Sequence, residues 1–258
     1  MRVYISTISH GHSNIIGKLS CLASLSESFI VVVKSNKAGD SFEELEAKNN
    51  FYWINQEFGC GFGRNNNIVF NYCKNKLGMC DDDIFIILNP DVIVTKEEIE
   101  ALVTNMKHDN VQLATINLFK DTFKTEYDNS VRRFPTIVNF IKSFFGLGNS
   151  SILDKSKFLS MGYVDWAAGS FLAFNVKHYT NLLGFDENYF MYCEDIDICY
   201  RSKFLGVSVA FYPRLSAVHF AQHNNRRIFS RHFYWHVKSI LRFLLSRLGL
   251  VAINSCIK

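Results

Sequence analysis

Apolar and polar positions come in blocks along this chain, and the period of the blocks changes. Residues 3–8 are mostly β-branched and apolar, the pattern of a strand buried on both faces. Turn chemistry in Ser9-His10-Gly11-His12-Ser13 closes it, and the spacing of 15–25 predicts a helix. Residues 29–33 and 51–54 repeat the strand pattern, and so do 84–88 and 111–118. Strands alternating with helical spacing predict an α/β fold: a Rossmann-like, mostly parallel central sheet flanked by helices. In such sheets ligands bind beyond the carboxyl ends of the strands. Ser9, Ser35 and Asn36 fall at those ends.

Gly59-Cys60-Gly61-Phe62-Gly63-Arg64-Asn65-Asn66-Asn67 enters a helix that runs to about Tyr72. Alternate glycines permit close backbone approach to a ligand, and a helix N-terminus favours an anion. A flexible turn is the other reading, since neither the Walker nor the dinucleotide spacing is present. The strand at 84–88 ends in Asn89-Pro90-Asp91, where an acid can hold a divalent cation against phosphates. Asp81-Asp82-Asp83 before it reads as a solvated turn. Thr95 and Glu98 have capping-box spacing for a helix to about Met106.

Residues 121–157 lack a clear period. Arg132 and Arg133 face phosphate or solvent, and 140–147 is an apolar stretch suited to a flap. Residues 164–174 read as one strand entered through small residues, which leave room for a ligand. The next strand, 207–212, ends at Pro213, and Ala217-Val218-His219 follows. His219 is either a satisfied core histidine or, if Asp91 lies near it, a metal ligand.

The segment from Gly184 to Asp197 delivers Glu194, Asp195 and Asp197 straight after an aromatic run. Carboxylates beside apolar surface are costly unless they bind a cation, take a proton or find donors. A helix begun near Glu194 pairs Asp197 with Arg201 at i,i+4 and leaves Asp195 for chemistry. The plainer reading is an acidic first turn favoured by the helix dipole.

From Arg226 the character changes. Phe229, Phe233, Val237, Ile240, Leu241, Leu244 and Leu248 recur at helical spacing, with Arg227, Arg231, Lys238 and Arg242 among them. This predicts a basic amphipathic helix that lies on an anionic membrane or packs on the domain before it.

Composition narrows the picture. At 48% hydrophobic and 20% charged, 258 residues suffice for one large packed domain with an appendage. A net charge of +4 without a nucleic-acid motif gives no case for DNA or RNA. The 7 cysteines contain no Cys-x-x-Cys pair, which argues for free thiols in a reducing compartment. With no signal-peptide pattern and no apolar run of ~20 residues, the expectation is a cytoplasmic protein resting on the inner face of the membrane.

Five motifs occur in a telling order: Gly61–Asn67, Leu88-Asn89-Pro90-Asp91, Asp165–Phe171, Gly184–Asp197 and Val218-His219. Together they resemble the inverting family-2 glycosyltransferases of the GT-A fold. More narrowly they resemble bacterial rhamnosyltransferases of O-antigen and cell-wall polysaccharide synthesis. The resemblance implies a catalytic domain over 1–225, and the helical spacing described above makes 226–258 an amphipathic, membrane-associating segment. It implies Asp195 as general base with Glu194 orienting it or the acceptor, and Mg²⁺ or Mn²⁺ on Asp91 and His219. It places the donor on Ser9, Ser35, Asn36, Gly61, Phe62, Gly63, Arg64, Asn67, Asn89, Asp91 and Gly169. It places the acceptor on Trp166, Tyr192 and Asp197. Relatives often carry Asp at position 35, and many carry a first acid where Asn89 stands. The implied donor is dTDP-L-rhamnose, and the implied acceptor is N-acetylglucosamine on undecaprenyl diphosphate. Another nucleotide sugar (a UDP-hexose or galactofuranose) and a non-catalytic nucleotide-sugar scaffold are the alternatives.

Overall fold

The computed structural model describes residues 1–136, 139, 151–220 and 231–257. In chain order the strands are β1 (Val3–Ser9), β2 (Ile30–Ser35), β3 (Phe51–Ile54), β4 (Ile84–Leu88), β5 (Val92–Ile93) and β6 (Leu113–Phe119). Then come β7 (Val131–Arg132), β8 (Gly162–Val164), β9 (Trp166–Ala167), β10 (Phe171–Asn175) and β11 (Val209–His219). The helices are α1 (Ser13–Leu19), α2 (Cys21–Leu25), α3 (Glu43–Glu46), α4 (Phe62–Lys76), α5 (Lys96–His108), α6 (Val176–Asn181), α7 (Glu194–Phe204) and α8 (Arg231–Arg247).

The main sheet has the order β3-β2-β1-β4-β10-β6-β11-β5, with β8 against β11. β3, β2, β1 and β4 run parallel to one another, as do β6 and β11. β10 is antiparallel to both β4 and β6, so the sheet is mixed rather than mostly parallel. The reason is local. The chain enters β10 at the edge where β4 ends, with Phe171 opposite Leu88, so it must run back. That entry brings the turn before β10 alongside Asn89, whose N–H donates to Ser170 O (3.0 Å).

Side-chain alternation divides the core between the two faces of the sheet. Tyr4, Val32, Phe85 and Ile87 pack with Phe70 of α4 and Ile198 of α7. Ile5, Val31, Val33 and Ile86 pack with Leu22 of α2 and Leu102 of α5 on the other face. β1, β2, β4, β6 and β10 are buried on both sides, which is why their sequences read as continuous apolar runs.

Several elements differ from their sequence pattern. Ser20 adopts a left-handed backbone (φ 52°) and splits the helix expected at 15–25 into α1 and α2. Pro213 does not end a strand. It lies where the β11–β6 register shifts between Tyr212 and Ser216, a bulge that needs no ladder N–H. The run 164–174 breaks into three strands at Asp165 and at Ala168-Gly169-Ser170. Of the acidic triplet, Asp83 is buried and accepts from the backbone N–H groups of Arg2 (2.6 Å) and Cys80 (2.9 Å). Thr95 caps α5, but Glu98 turns to Ser216 instead of closing the box. The apolar stretch 140–147 and the expected domain junction at 225 lie outside the described residues.

α8 packs on the rest of the protein with an unexpected face. Ser239 and Phe243 are its buried residues. Ser239 Oγ donates to Met191 O (2.9 Å), Ser246 Oγ to Asp197 Oδ1 (3.1 Å), and Arg242 pairs with buried Asp186 (2.5 Å). Arg242, grouped above with the basic residues suited to an anionic surface, therefore serves the interior.

Candidate active site

A cleft of about 590 Å³ opens beyond the carboxyl ends of β4, β6 and β11. Its base is Asn89 and the Ala168-Gly169-Ser170 turn. One wall carries Asp128, Ser130, Arg132 and Trp166, and the other runs from Met191 to Ile196 with His236 of α8 behind it.

The second wall is strained and held. Tyr192 and Cys193 both have positive φ (71° and 62°), which costs a side-chain-bearing residue on the order of 1–3 kcal/mol. α8 supplies the restraint. Besides the Ser239 bond to Met191, His232 Nδ1 lies 3.1 Å from the Tyr192 hydroxyl, and Trp235 packs on Phe190 with ring centroids 4.6 Å apart. The kink turns the chain directly into α7, so its first residues face the cleft.

Glu194 and Asp195 therefore begin α7 beside each other, in unequal surroundings. Asp195 Oδ2 accepts from Gly169 N–H (3.2 Å), and its Oδ1 accepts from Ile196 N–H (2.9 Å). Glu194 is 8% exposed, and its Oε2 has no partner among the described residues. Burial, joined by the charge of Asp195, pushes the Glu194 carboxyl up to about 8. Burial raises Asp195 as well, opposed by those two backbone donors. The two titrate as a pair, and the first proton goes to Glu194. This leaves Asp195 as the charged member of the pair, and burial makes it a better base than a solvated Asp.

At the far end His219 lies between two carboxylates. Its Nδ1 is 2.6 Å from Asp128 Oδ2 and its Nε2 is 3.5 Å from Asp91 Oδ1. Burial alone would lower this imidazole, but the two acids outweigh it and raise it to about 9. Burial would likewise raise both acids, and His219 holds them below the ordinary carboxylate range. Among the described residues no three His, Cys, Asp or Glu side chains converge as a metal cluster. Asp91 and His219 Nε2 nonetheless form a two-donor set that suits a cation completed by phosphate and water. Asp128 on Nδ1 is the outer carboxylate that fixes a ligating tautomer.

Comparison with known proteins now decides the family. The chain is 38% identical over 245 residues to rhamnosyltransferase WbbL of Escherichia coli (strain K12), a match spanning 94% of this chain and 92% of that protein. This chain belongs to that rhamnosyltransferase family. It is also 28% identical over 173 residues to the N-acetylglucosaminyl-diphospho-decaprenol L-rhamnosyltransferase of Mycobacterium tuberculosis (strain ATCC 25618 / H37Rv), covering 64% of this chain and 56% of that one. Among solved structures, GalNAc-T7 with UDP, GalNAc and Mn²⁺ superposes with a TM-score of 0.63 at 13% identity, over 95% of this chain and 47% of that one. S. aureus TarS 1-349 in complex with UDP gives 0.59 at 13%, over 95% and 66%. Those two likenesses show the GT-A fold alone. No protein-family model matches the chain. The fold, the family and the glycosyltransferase class implied by the ordered motifs are thereby borne out.

The rhamnosyltransferase cleft gathers Phe62, Asn89, Trp166, Gly169, Tyr192, Glu194, Asp195 and His219, and Asp91 joins through His219. Ser9, Ser35 and Asn36 stand at strand ends near it, engaged with their own loops. Ser9 Oγ accepts from His12 N–H (2.9 Å), and Asn36 is tied to the backbone of Cys60. Ser35 Oγ donates to Asp40 Oδ2 (2.8 Å), so Asp40 brings a carboxylate close to a position where relatives often have one.

The glycine loop works differently from an anion cradle. A Cβ on Gly61 would stand 2.7 Å from Phe190 O, and one on Gly63 would stand 2.6 Å from Phe185 Cβ. Both glycines let α4 pack against the 184–197 segment, and Phe62 N–H donates to Phe190 O. Arg64 is exposed and lies near Glu57 (3.8 Å) and Glu187 (3.9 Å). Asn67 is buried and bonds Phe185 and Tyr179. Asp197, placed above at the acceptor, is 1% exposed and paired with Arg201 (2.7 Å) in the i,i+4 geometry its spacing predicted. None of these five residues lines the cleft: packing consumes Gly61, Gly63, Asn67 and Asp197, and Arg64 stays on the surface. Asp128 and His236 enter the cleft without a sequence signal. Asp128 comes from an aperiodic stretch, and His236 sits between the faces of its helix.

Proposed function

We propose that this enzyme transfers L-rhamnose, with inversion, from dTDP-L-rhamnose to N-acetylglucosamine carried on undecaprenyl diphosphate. The observation that carries the reading is the 38% likeness to a rhamnosyltransferase over nearly the whole of both chains. The named acceptor of the mycobacterial relative, a sugar on a polyprenyl diphosphate, supports the acceptor class. Work on such an acceptor puts the enzyme at the inner face of the membrane. No described helix is long and apolar enough to cross one.

The cleft supplies the parts a single displacement needs. Asp195 takes the proton of the acceptor hydroxyl as that oxygen bonds the anomeric carbon and the bond to the diphosphate breaks. Protonated Glu194 keeps the proton-accepting charge on its neighbour. No covalent nucleophile is required for inversion. Trp166 and Tyr192 offer ring surface to a sugar. Arg132, whose guanidinium lies over the Trp166 ring (5.2 Å), brings positive charge to the same wall. Mg²⁺ or Mn²⁺ on Asp91 and His219 would supply charge to the departing diphosphate.

A donor screen tests this. The enzyme is given dTDP-L-rhamnose, UDP-hexoses and UDP-galactofuranose with lipid-linked N-acetylglucosamine, and product stereochemistry is read by NMR. Inverted rhamnosyl product from dTDP-L-rhamnose alone is expected. Preference for a UDP sugar, or nucleotide binding without release, overturns it.

A further inference from the structure

α8 sits on the domain through Phe243 and a set of polar groups, with Leu241, Leu245 and Leu248 outward. Ser239, Arg242 and Ser246 bond the catalytic domain. Tyr234, Lys238, Leu241, Leu245 and Leu248 repeat at four and three residues along the opposite side, and all are exposed. Leu248 is 70% exposed and Leu250, just past the helix, 67%. A row of water-facing leucines beside a face that spends Ser239, Arg242 and Ser246 on the interior marks an interaction surface.

The patch continues onto a second element. A groove of 340 Å³ beside it is lined by Leu183, Phe204, Leu205, Val251 and Ile253, with Arg247 on its rim. Phe204, at the end of α7, is 85% exposed. Charge indicates the partner. Residues 198–258 hold ten Lys or Arg and no Asp or Glu, so this end of the chain is strongly positive while the rest is net negative. Arg231 and Lys238 are exposed on α8 at the aromatic end of the leucine stripe. Apolar residues flanked by cations, with no acid nearby in sequence, match a bilayer surface with anionic headgroups.

We propose that the Leu241–Leu245–Leu248 stripe, with Leu250, Ile253 and Phe204, inserts shallowly into an anionic lipid surface. The proposal rests on a lipid-linked acceptor being the substrate class. It also gives that acceptor a route. The same helix reaches the cleft through His236, so the surface that meets the lipid and a wall of the cleft belong to one element. The seating face is the leucine stripe, and Arg242 is excluded from it by its bond to Asp186.

The test is flotation of the full chain with vesicles of phosphatidylcholine alone and with phosphatidylglycerol added. Wild type is expected to float with the anionic vesicles. Leu245→Gln, Leu248→Gln and Leu250→Gln together should lower that binding at least tenfold, with helix content by circular dichroism and turnover on a water-soluble acceptor kept. Arg231→Gln with Lys238→Gln should weaken binding to anionic vesicles only. Phe204→Ser, on a different element, gives an independent reading should the triple change disturb α8, and a several-fold loss is expected. Undiminished binding in the triple and Phe204 variants overturns the proposal. So does a wild type that ignores vesicles, or a leucine-dependent dimer in light scattering. Failure of the donor screen with vesicle binding intact would count against the proposed sugar transfer and leave the docking surface standing.

Discussion

Two adjacent carboxyls in one turn of helix are proposed to have opposite duties because their surroundings differ. Asp195 has two backbone donors and the cleft, whereas Glu194 is buried with one oxygen unsatisfied. Asp195→Asn keeps the shape and removes the base. A fall in kcat of about a hundredfold or more is expected, with donor affinity by calorimetry nearly unchanged. Glu194 makes a prediction about stability. Its carboxyl stands at about 8 in the fold against an ordinary 4.5, so between those values the folded chain holds a proton that the unfolded chain releases. Stability from this group is thus present below about 4.5 and lost as pH rises through about 8. Glu194→Gln, which cannot ionise, should flatten that decline. Melting temperatures of the variant and wild type should converge near pH 5, and the variant should be the more stable by on the order of a few degrees near pH 8. Parallel curves would remove Glu194 from the proton account.

The element scale explains why the last helix matters to a cleft it mostly stands behind. α8 bonds the 186–197 segment at Asp186, Met191, Tyr192 and Asp197, and that segment contains the strained turn into α7. Asp186 is buried, and Arg242 is the cation that answers it. Arg242→Met keeps the stem and strands the carboxylate. Breaking a buried pair this way typically costs ~3–5 kcal/mol. A clear fall in denaturant midpoint is expected, together with lost turnover on soluble and lipid-linked acceptors alike. A loss confined to vesicle assays would instead place Arg242 at the lipid surface. Periodicity found this helix but misjudged its orientation. The regular spacing of leucines identifies a helix, whereas the inward face is set by Asp186, Met191 and Asp197, which lie more than 40 positions earlier in the chain.

At the scale of the molecule, the sheet order brings together the residues proposed to hold the cation. Asp91 follows β4, Asp128 lies between β6 and β7, and His219 ends β11. Asp91→Ala should abolish any thermal shift by Mn²⁺ in the presence of dTDP, and Asp128→Asn should weaken it roughly tenfold or more by freeing the ring. An unchanged shift in Asp91→Ala would move the cation elsewhere. The sequence by itself determined the α/β class, the strand ends beyond which the cleft opens, the Asp197–Arg201 pair and the ordered motifs of the family. It could do so because buried strands, capping spacings and a contiguous run such as Gly184–Asp197 are encoded in neighbouring residues. Tertiary structure alone decided that β10 runs antiparallel, that Gly61 and Gly63 serve helix packing, that Asp128 holds His219, and that α8 turns its leucines outward. Each of those depends on a partner brought from far along the chain, and local periodicity carries no information about which distant residue will occupy the facing position.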